Sequence, residues 1–528
     1  MTTVIDDKTK GTAHAEDLSQ NAQAMQEFDS TIHHPENWWS WRLVGTMITI
    51  GLSMGLFGYD NSFAAPLMAL PLFITRYQGP DLSFTARNLN LIVPVPLIGA
   101  AIGVFIASPL MKRIGRKKTF LAAYFLLCIP GSFLQLFAPN IGALVVGRFW
   151  NYLGVSVLTT TAPLYLAEMV PAHFRGRAIG FCVAGVSAVG IIATTLVWGT
   201  SKILDDRSYK IPLGLQAAFP AVFGIMTFFV PESPFWHLQH DQAEAARRTL
   251  MTLRNDNVEV VEAELSLLLR SIVAEREDQS KAQFWEIFKP MHLKRTLTAG
   301  ALLCLNQVSG LVLVSTYSTV ILVQSGVGNP FQITIIITCT QFLGTMIGPV
   351  LVDKIGRRPV ALVGFSVLFF LDIVGGSLAT AGLTTDGQRL GLAAVFILFG
   401  FFNSASFQSL AFVLPTEIPA VSLREPTVAW SVFWSYTTAI ITTFAVPQLT
   451  APDAANLGAK SAFIFAGCVL ITVIWTYFFI PETRARTMAE IDEMYAINLP
   501  MRHWKHYKCE VVTSTAAEKK KTEDGKDV

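Results

Sequence analysis

The chain has 528 residues, with 40 lysines and arginines against 38 aspartates and glutamates and a formal net charge of +2, so it lacks the basic surplus that a nucleic-acid partner demands. Hydrophobic residues make up 52% and charged residues only 15%, against roughly 25% charged in soluble domains, and mean hydropathy is +0.46. That balance does not fit a water-soluble enzyme.

Residues 1 to 41 are polar and mixed in charge and contain no apolar core of the signal-peptide kind. The first membrane helix is therefore expected to act as its own insertion signal. Apolar spans follow at 42 to 62, 90 to 111, 118 to 137, 141 to 162, 177 to 199 and 214 to 231. A linker over 232 to 295 carries helix-type patterning, as in Ala243-Glu244-Ala245-Ala246-Arg247-Arg248 and Leu265 to Leu269, which predicts short amphipathic helices at a membrane face. Six more spans lie at 296 to 324, 330 to 352, 360 to 382, 390 to 415, 427 to 448 and 462 to 481, and a tail over 482 to 528 ends in a polar run after Glu518. The expected fold class is all-α: a polytopic membrane protein of twelve transmembrane helices in two bundles, 42–231 and 296–481.

Basic residues set the expected orientation. Lys112, Arg113, Arg116, Lys117 and Lys118 follow span two, Arg175 and Arg177 follow span four, and Lys354, Arg357 and Arg358 follow span eight. These loops, the linker and both termini are expected on the cytoplasmic side. The chain also repeats itself: Ile114-Gly115-Arg116-Lys117 returns as Ile355-Gly356-Arg357-Arg358, Glu168 seven before Arg175 returns as Glu417 seven before Arg424, and Pro231-Glu232-Ser233 returns as Pro481-Glu482-Thr483, at offsets of 241, 249 and 250 residues. Two halves of six spans share one direction, so they are parallel repeats about an axis along the membrane normal.

Five of the six cysteines lie in apolar segments and Cys509 in the tail, so no disulfide framework is implied. His503-x-x-His506-x-x-Cys509 has metal-compatible spacing. With Trp504 and Tyr507 in a basic tail it reads instead as a juxtamembrane surface segment, and neither a metal nor a cofactor is expected.

Taken together, Phe57-Gly58-Tyr59-Asp60, the two Gly-Arg-basic loops, Pro163-x-Tyr165-x-x-Glu168 with Arg175-Gly176, Pro231-Glu232-Ser233-Pro234 and Pro481-Glu482-Thr483 resemble the sugar porter family of the major facilitator superfamily over residues 42 to 495. The resemblance implies a twelve-helix transporter, often proton-driven, that opens a central sugar-type site alternately to either side; a monomer is expected. Two departures stand out. Lys112 occupies a place where the family has an acid, although the second repeat keeps Asp353, and Phe235 replaces an arginine of the Pro-Glu-Ser-Pro motif.

An unpaired carboxylate in span one is costly, so Asp60 needs a partner or a proton. The resemblance places it beside Arg148 of span four. Two readings stand: a carboxylate that alternates between the arginine and a desolvated site and so carries one proton per cycle, or a static salt bridge that fixes helix packing. Glu168 with Arg175 and Glu417 with Arg424, joined by Glu232, Asp353, Arg357 and Glu482, are expected to form a charge network that closes the cytoplasmic side, with solvated loops as the alternative. For the substrate, Asn306 and Gln307 match the family's paired glutamines; Val312, Thr316, Tyr317, Phe412, Ser435 and Tyr436 complete the expected wall, and Cys182 and Val183 stand where the family has glutamines in span five. Such a wall should be less polar than that of a typical hexose carrier. Asp372, a second intramembrane acid in a peripheral span, is expected near the extracellular end or against a local hydroxyl rather than in a proton relay, the alternative. The functional expectation is proton-coupled transport of a sugar or similar polyhydroxylated molecule across a plasma membrane; movement of a less polar organic acid or metabolite, and a non-transporting sensor of the same fold, are the alternatives.

Overall fold

Apolar runs of this length leave backbone groups no partner in hydrocarbon but each other, which selects helices. The computed structural model describes residues 39–507 apart from 81–82, 172–173, 280–283, 421–422, 485, 487 and 498. The first half is built from α1 (Trp41–Met68), α2 (Ala86–Ile114), α3 (Arg116–Leu136), α4 (Ile141–Met169), α5 (Arg175–Thr200) and α6 (Arg207–Phe228). The second is built from α7 (Pro290–Thr316), α8 (Pro330–Ile355), α9 (Arg357–Thr380), α10 (Asp386–Glu417), α11 (Arg424–Thr450) and α12 (Gly458–Phe479). Eleven of these are long and apolar enough to cross a membrane. The other, α11, spans 27 residues, and its run of serines, threonines and tryptophans lowers its hydropathy because one face lines an internal cavity. This is a multi-pass membrane protein.

Sharp turns between α2 and α3 and between α8 and α9 depend on glycine. Gly115 and Gly356 have φ of +94° and +113°, a region that side chains rarely enter. Equivalent packing recurs in the two halves: Gly99 of α2 meets Phe149 of α4, and Gly344 of α8 meets Phe401 of α10, the small-residue contact that brings membrane helices close.

The expected single span over 296 to 324 is interrupted. A π-helical turn over Gln307–Leu311 contains Gly310 at φ +89°, α7 ends at Thr316, and a separate helix runs over Ser318–Gln324. The cause lies in the sequence, since a left-handed residue cannot continue an α-helix.

The two halves meet along flanking helices, where the Phe105 ring of α2 meets Phe433 of α11 at 6.1 Å, and at one end. A shared apolar core gathers Tyr59, Phe63 and Leu67 of α1 with Leu313 and Tyr317 of the second half, while a further core around Phe120, Tyr124 and Tyr165 joins the first half to Leu253 and Val260 of the linker. Among the described residues one backbone group bonds across the seam: the Ala86 amide donates to both carboxylate oxygens of Asp453, at 2.9 and 3.0 Å. Ala86 begins α2 and Gly115 follows its other end, so the molecule is closed at the end opposite the basic turns.

Helices of the linker, Pro234–Gln239, Ala243–Leu253 and Val258–Gln279, pack on the first half. Arg254 is fully buried, pairs with Glu264 at 2.8 Å and donates to the Met169 carbonyl at 3.1 Å, while the Ser40 hydroxyl donates to the Leu253 carbonyl. Phe235 fits this arrangement as an apolar contact of the linker's own small core. The tail packs on the second half, where Arg295 pairs with Asp492. Trp504 is fully buried and meets Tyr495 edge-on at 5.0 Å, so its indole is a core residue, while Arg502 and His503 beside it are exposed as on a surface segment. Cys509 and residues 1–38 lie outside the described residues.

Candidate functional site

A cavity of about 410 Å³ lies at the seam of the halves. The first half contributes Phe57, Gly58, Asn61 and Ser62 of α1, Leu97 of α2 and Val186 and Ser187 of α5. The second contributes Asn306, Gln307, Leu311, Val312 and Thr316 of α7, Thr338, Gln341 and Thr345 of α8, Ser404 and Gln408 of α10, and Ser435, Tyr436 and Thr443 of α11. No aspartate, glutamate, lysine, arginine or histidine is among these lining residues.

Six sequence-derived wall residues, Asn306, Gln307, Val312, Thr316, Ser435 and Tyr436, therefore share one cavity. Tyr317 stands behind the wall, 1% exposed, with its hydroxyl donating to the Thr443 carbonyl at 3.5 Å. The Phe412 side chain lies outside the described residues. On α5 the wall is made one turn later than Cys182 and Val183, by Val186 and Ser187, and Cys182 is buried away from it. Sequence matching missed Asn61, Gln341 and Gln408. Their signal was present, since amides inside apolar spans are costly unless bonded. They restore amide chemistry that Val312 removes, so the cavity is richer in polar groups than α7 alone suggests.

Beside the cavity, Asp60 is 2% exposed. Asn151 donates to its Oδ2 at 2.7 Å, Gln216 donates to its Oδ1, and the Tyr152 hydroxyl donates to its backbone carbonyl at 3.3 Å. The Oε1 of Gln216 is buried without a partner. Arg148, equally buried, forms no ion pair with Asp60; its Nε donates to the Ile92 carbonyl at 3.0 Å, and the guanidinium lies over the rings of Tyr152 and Phe63 at 5.5 and 5.7 Å. This corrects the expected pair. The reason is local, because the Ile92 carbonyl would bond the amide of residue 96, and residue 96 is Pro96, which has none. Arg148 takes the orphaned acceptor, and Asn151, nearly one turn further along α4, stands level with Asp60.

Two matching charge clusters flank the basic turns. In the first half Arg116 pairs with Glu168 at 2.7 Å, Ser233 donates to Glu168, and Glu232 accepts from the amides of Arg116 and Lys117 at 2.8 and 3.1 Å. In the second, Arg357 pairs with Glu417 at 2.7 Å, Thr483 donates to Glu417, and Glu482 accepts from the amides of Arg357 and Arg358 at 3.0 and 3.2 Å. Glu232 and Glu482 thus sit as anions at the starts of α3 and α9, where free amides and the helix dipole favour them. Asp353 adds an exposed contact to Arg357 at 3.2 Å; with Lys112 in the matching place, Arg116 keeps two buried nitrogens without partners. The expected pairing with sequence neighbours is corrected: Glu168 and Glu417 bond Arg116 and Arg357 within their own halves. Arg175 is exposed at the head of α5, and Arg424 is half-buried at the head of α11.

Paired helical repeats around a polar cavity, with charge clusters at one end and a closed seam at the other, define a carrier of the alternating-access class. The chain belongs to the sugar (and other) transporter family, the sugar porters of the major facilitator superfamily, whose profile matches residues 45–495. Among curated proteins it is similar to the major facilitator-type transporter ecdD of Aspergillus rugulosus, 29% identical over 83% of this chain and 85% of that one. The high glucose sensor RGT2 of Saccharomyces cerevisiae is 27% identical over 86% of this chain and 60% of its own length. In fold it is similar to the partially occluded inward-open xylose transporter XylE of E. coli, with a TM-score of 0.69 at 19% identity, covering 85% of this chain and 100% of that one.

Proposed function

We propose that the protein carries a neutral, hydroxyl-rich molecule of sugar size across the plasma membrane by alternating access, coupled to a proton at Asp60, with its basic end and both termini in the cytoplasm. The observation that carries this reading is the cavity lining. Amides of Asn61, Asn306, Gln307, Gln341 and Gln408 offer donors and acceptors together, as vicinal hydroxyls require, and Phe57, Leu97, Val186, Leu311 and Val312 offer an apolar face. An organic acid finds no support there, because a carboxylate would enter a site whose described lining holds no cation.

Proton coupling is supported by the surroundings of Asp60. As a carboxylate it accepts from the Gln216 amide nitrogen; once protonated it can donate to the unpartnered Oε1 after a flip of the same amide. Either protonation state is accommodated without a second side chain. Arg148 is the charge that approaches Asp60 when α4 and α2 rearrange in the opposite state.

The test is uptake and counterflow of sugars, polyols and glycosides in proteoliposomes, with and without an imposed pH gradient. Counterflow of a neutral polyol is expected, with accumulation only under the gradient. Accumulation of carboxylates alone would sink the reading, and a receptor that does not transport would bind without counterflow.

A further inference from the structure

The second half holds a buried acid that the transport cycle described above does not use. Asp372 of α9 is 4% exposed, makes no hydrogen bond among the described residues, and has an Oδ2 buried without a partner. The local hydroxyl expected from the sequence is not there. Its carboxylate lies against the break in α7: a Cβ placed on Gly310 would sit 3.6 Å from Asp372 Oδ1. Next to Gly310, the Ser309 hydroxyl accepts from the Asn403 amide nitrogen at 3.4 Å, and Asn403, 1% exposed, has a buried Oδ1 with no partner.

These residues reproduce the Asp60 site with one substitution of position. Ser309 stands 249 residues after Asp60, the offset that relates Glu168 to Glu417, and Asn403 stands 252 after Asn151, as Phe401 does after Phe149. Asn403 donates to Ser309 as Asn151 donates to Asp60. The carboxylate is missing from α7 and returns from α9. Asp372 lies 241 residues after Gly131, the offset of the basic turns, and Gly131 in the first half packs directly on Asn151.

We propose that Asp372, with Ser309 and Asn403 at the α7 break, is a second proton-binding site, pseudo-symmetric with the one at Asp60. The chemistry follows from the surroundings. Cys468 of α12 is the titratable side chain that faces the carboxylate, and no charged group from the helices packed against it does so among the described residues. A carboxylate so placed has no cation among the described residues to balance it, and a proton neutralises it. Asn306 and Gln307, in the turn before Gly310, line the cavity. Straightening or bending α7 therefore moves the surroundings of Asp372 and the substrate wall together.

Infrared difference spectroscopy on the full-length protein in nanodiscs, between acid and alkaline pH in H₂O and D₂O, tests this directly. Two protonated-carboxyl bands that shift in D₂O are expected, one lost in Asp60→Asn and the other lost in Asp372→Asn. Asp372→Glu, which keeps the titrating group, should move the second band rather than remove it, and serves if the asparagine variant fails to fold. Spectra of Asp60→Asn and the Asp60→Asn, Asp372→Asn double variant that coincide would overturn the proposal. So would loss of the second band on adding Na⁺ at constant pH, which would assign the site to a metal cation. The Asp60 band reports separately on the coupling reading, so either site can fail alone.

Discussion

Gln216 shows how a single amide can make a membrane carboxylate usable. Burying Asp60 costs several kcal/mol unless its oxygens are bonded, and a partner that could only donate would hold one protonation state. With coupling at this position, Asp60→Asn is expected to abolish pH-driven accumulation and to spare counterflow, because asparagine keeps the size and removes the titrating proton. Accumulation of substrate by that variant under a pH gradient would place coupling elsewhere. Selectivity belongs to this scale as well. Losing a buried amide that meets a substrate hydroxyl costs about 1–3 kcal/mol, so Gln307→Ala should lower transport of every substrate by about 5- to 100-fold. Val312→Asn should shift preference towards plain sugars, read from competition between a free hexose and a glycoside with an apolar group.

At the level of helices, the charge clusters at the basic turns separate two kinds of ion pair. Arg357 and Glu417 are both largely buried, whereas Asp353 is 73% exposed. Removing one partner of a buried pair leaves the other charge stranded, so Glu417→Gln should destabilise by on the order of 3 kcal/mol; Asp353→Asn should cost less than about 1 kcal/mol. Thermal unfolding in nanodiscs orders the two. The spans, the two-half repeat and the basic turns are legible in the sequence because hydrocarbon thickness and charge asymmetry act on every residue of a helix at once. Pairing is not. Arg175 lies seven residues beyond Glu168, but the chain leaves α4 and starts α5 between them, and Arg116, fixed by the turn at Gly115, arrives first. The interruption of α7 escaped as well, since a glycine inside an apolar run looks like any packing glycine until a carboxylate from α9 is seen against it. Likewise, the amides of α8 and α10 reach the cavity only through the way those helices cross.

For the whole molecule, orientation follows from the basic turns. Tags at residues 1, 265 and 528 should be reached from one side of the membrane and a tag near Asp205 from the other; a split between 1 and 265 would refute six spans in the first half. The halves meet through a shared core, the Phe105–Phe433 ring contact and one backbone contact at the end away from those turns, so rocking that opens that end must break the backbone contact.

Residues 234–279 ride on the first half through Arg254, Ser40, Leu253 and Val260, which makes them passengers in that motion. Phe284–Phe288 forms a 3-10 turn held on the second half, with Ile287 buried and its carbonyl accepting from the Thr296 hydroxyl, so the covalent leash between the moving bodies is roughly five residues from Gln279 to Phe284, about 17 Å at full stretch. A leash so short holds two rotating bundles at high effective concentration and keeps them from drifting apart in the bilayer. It also sets a ceiling on how far their basic ends can separate, so the width of the open mouth is limited by chain length as well as by packing.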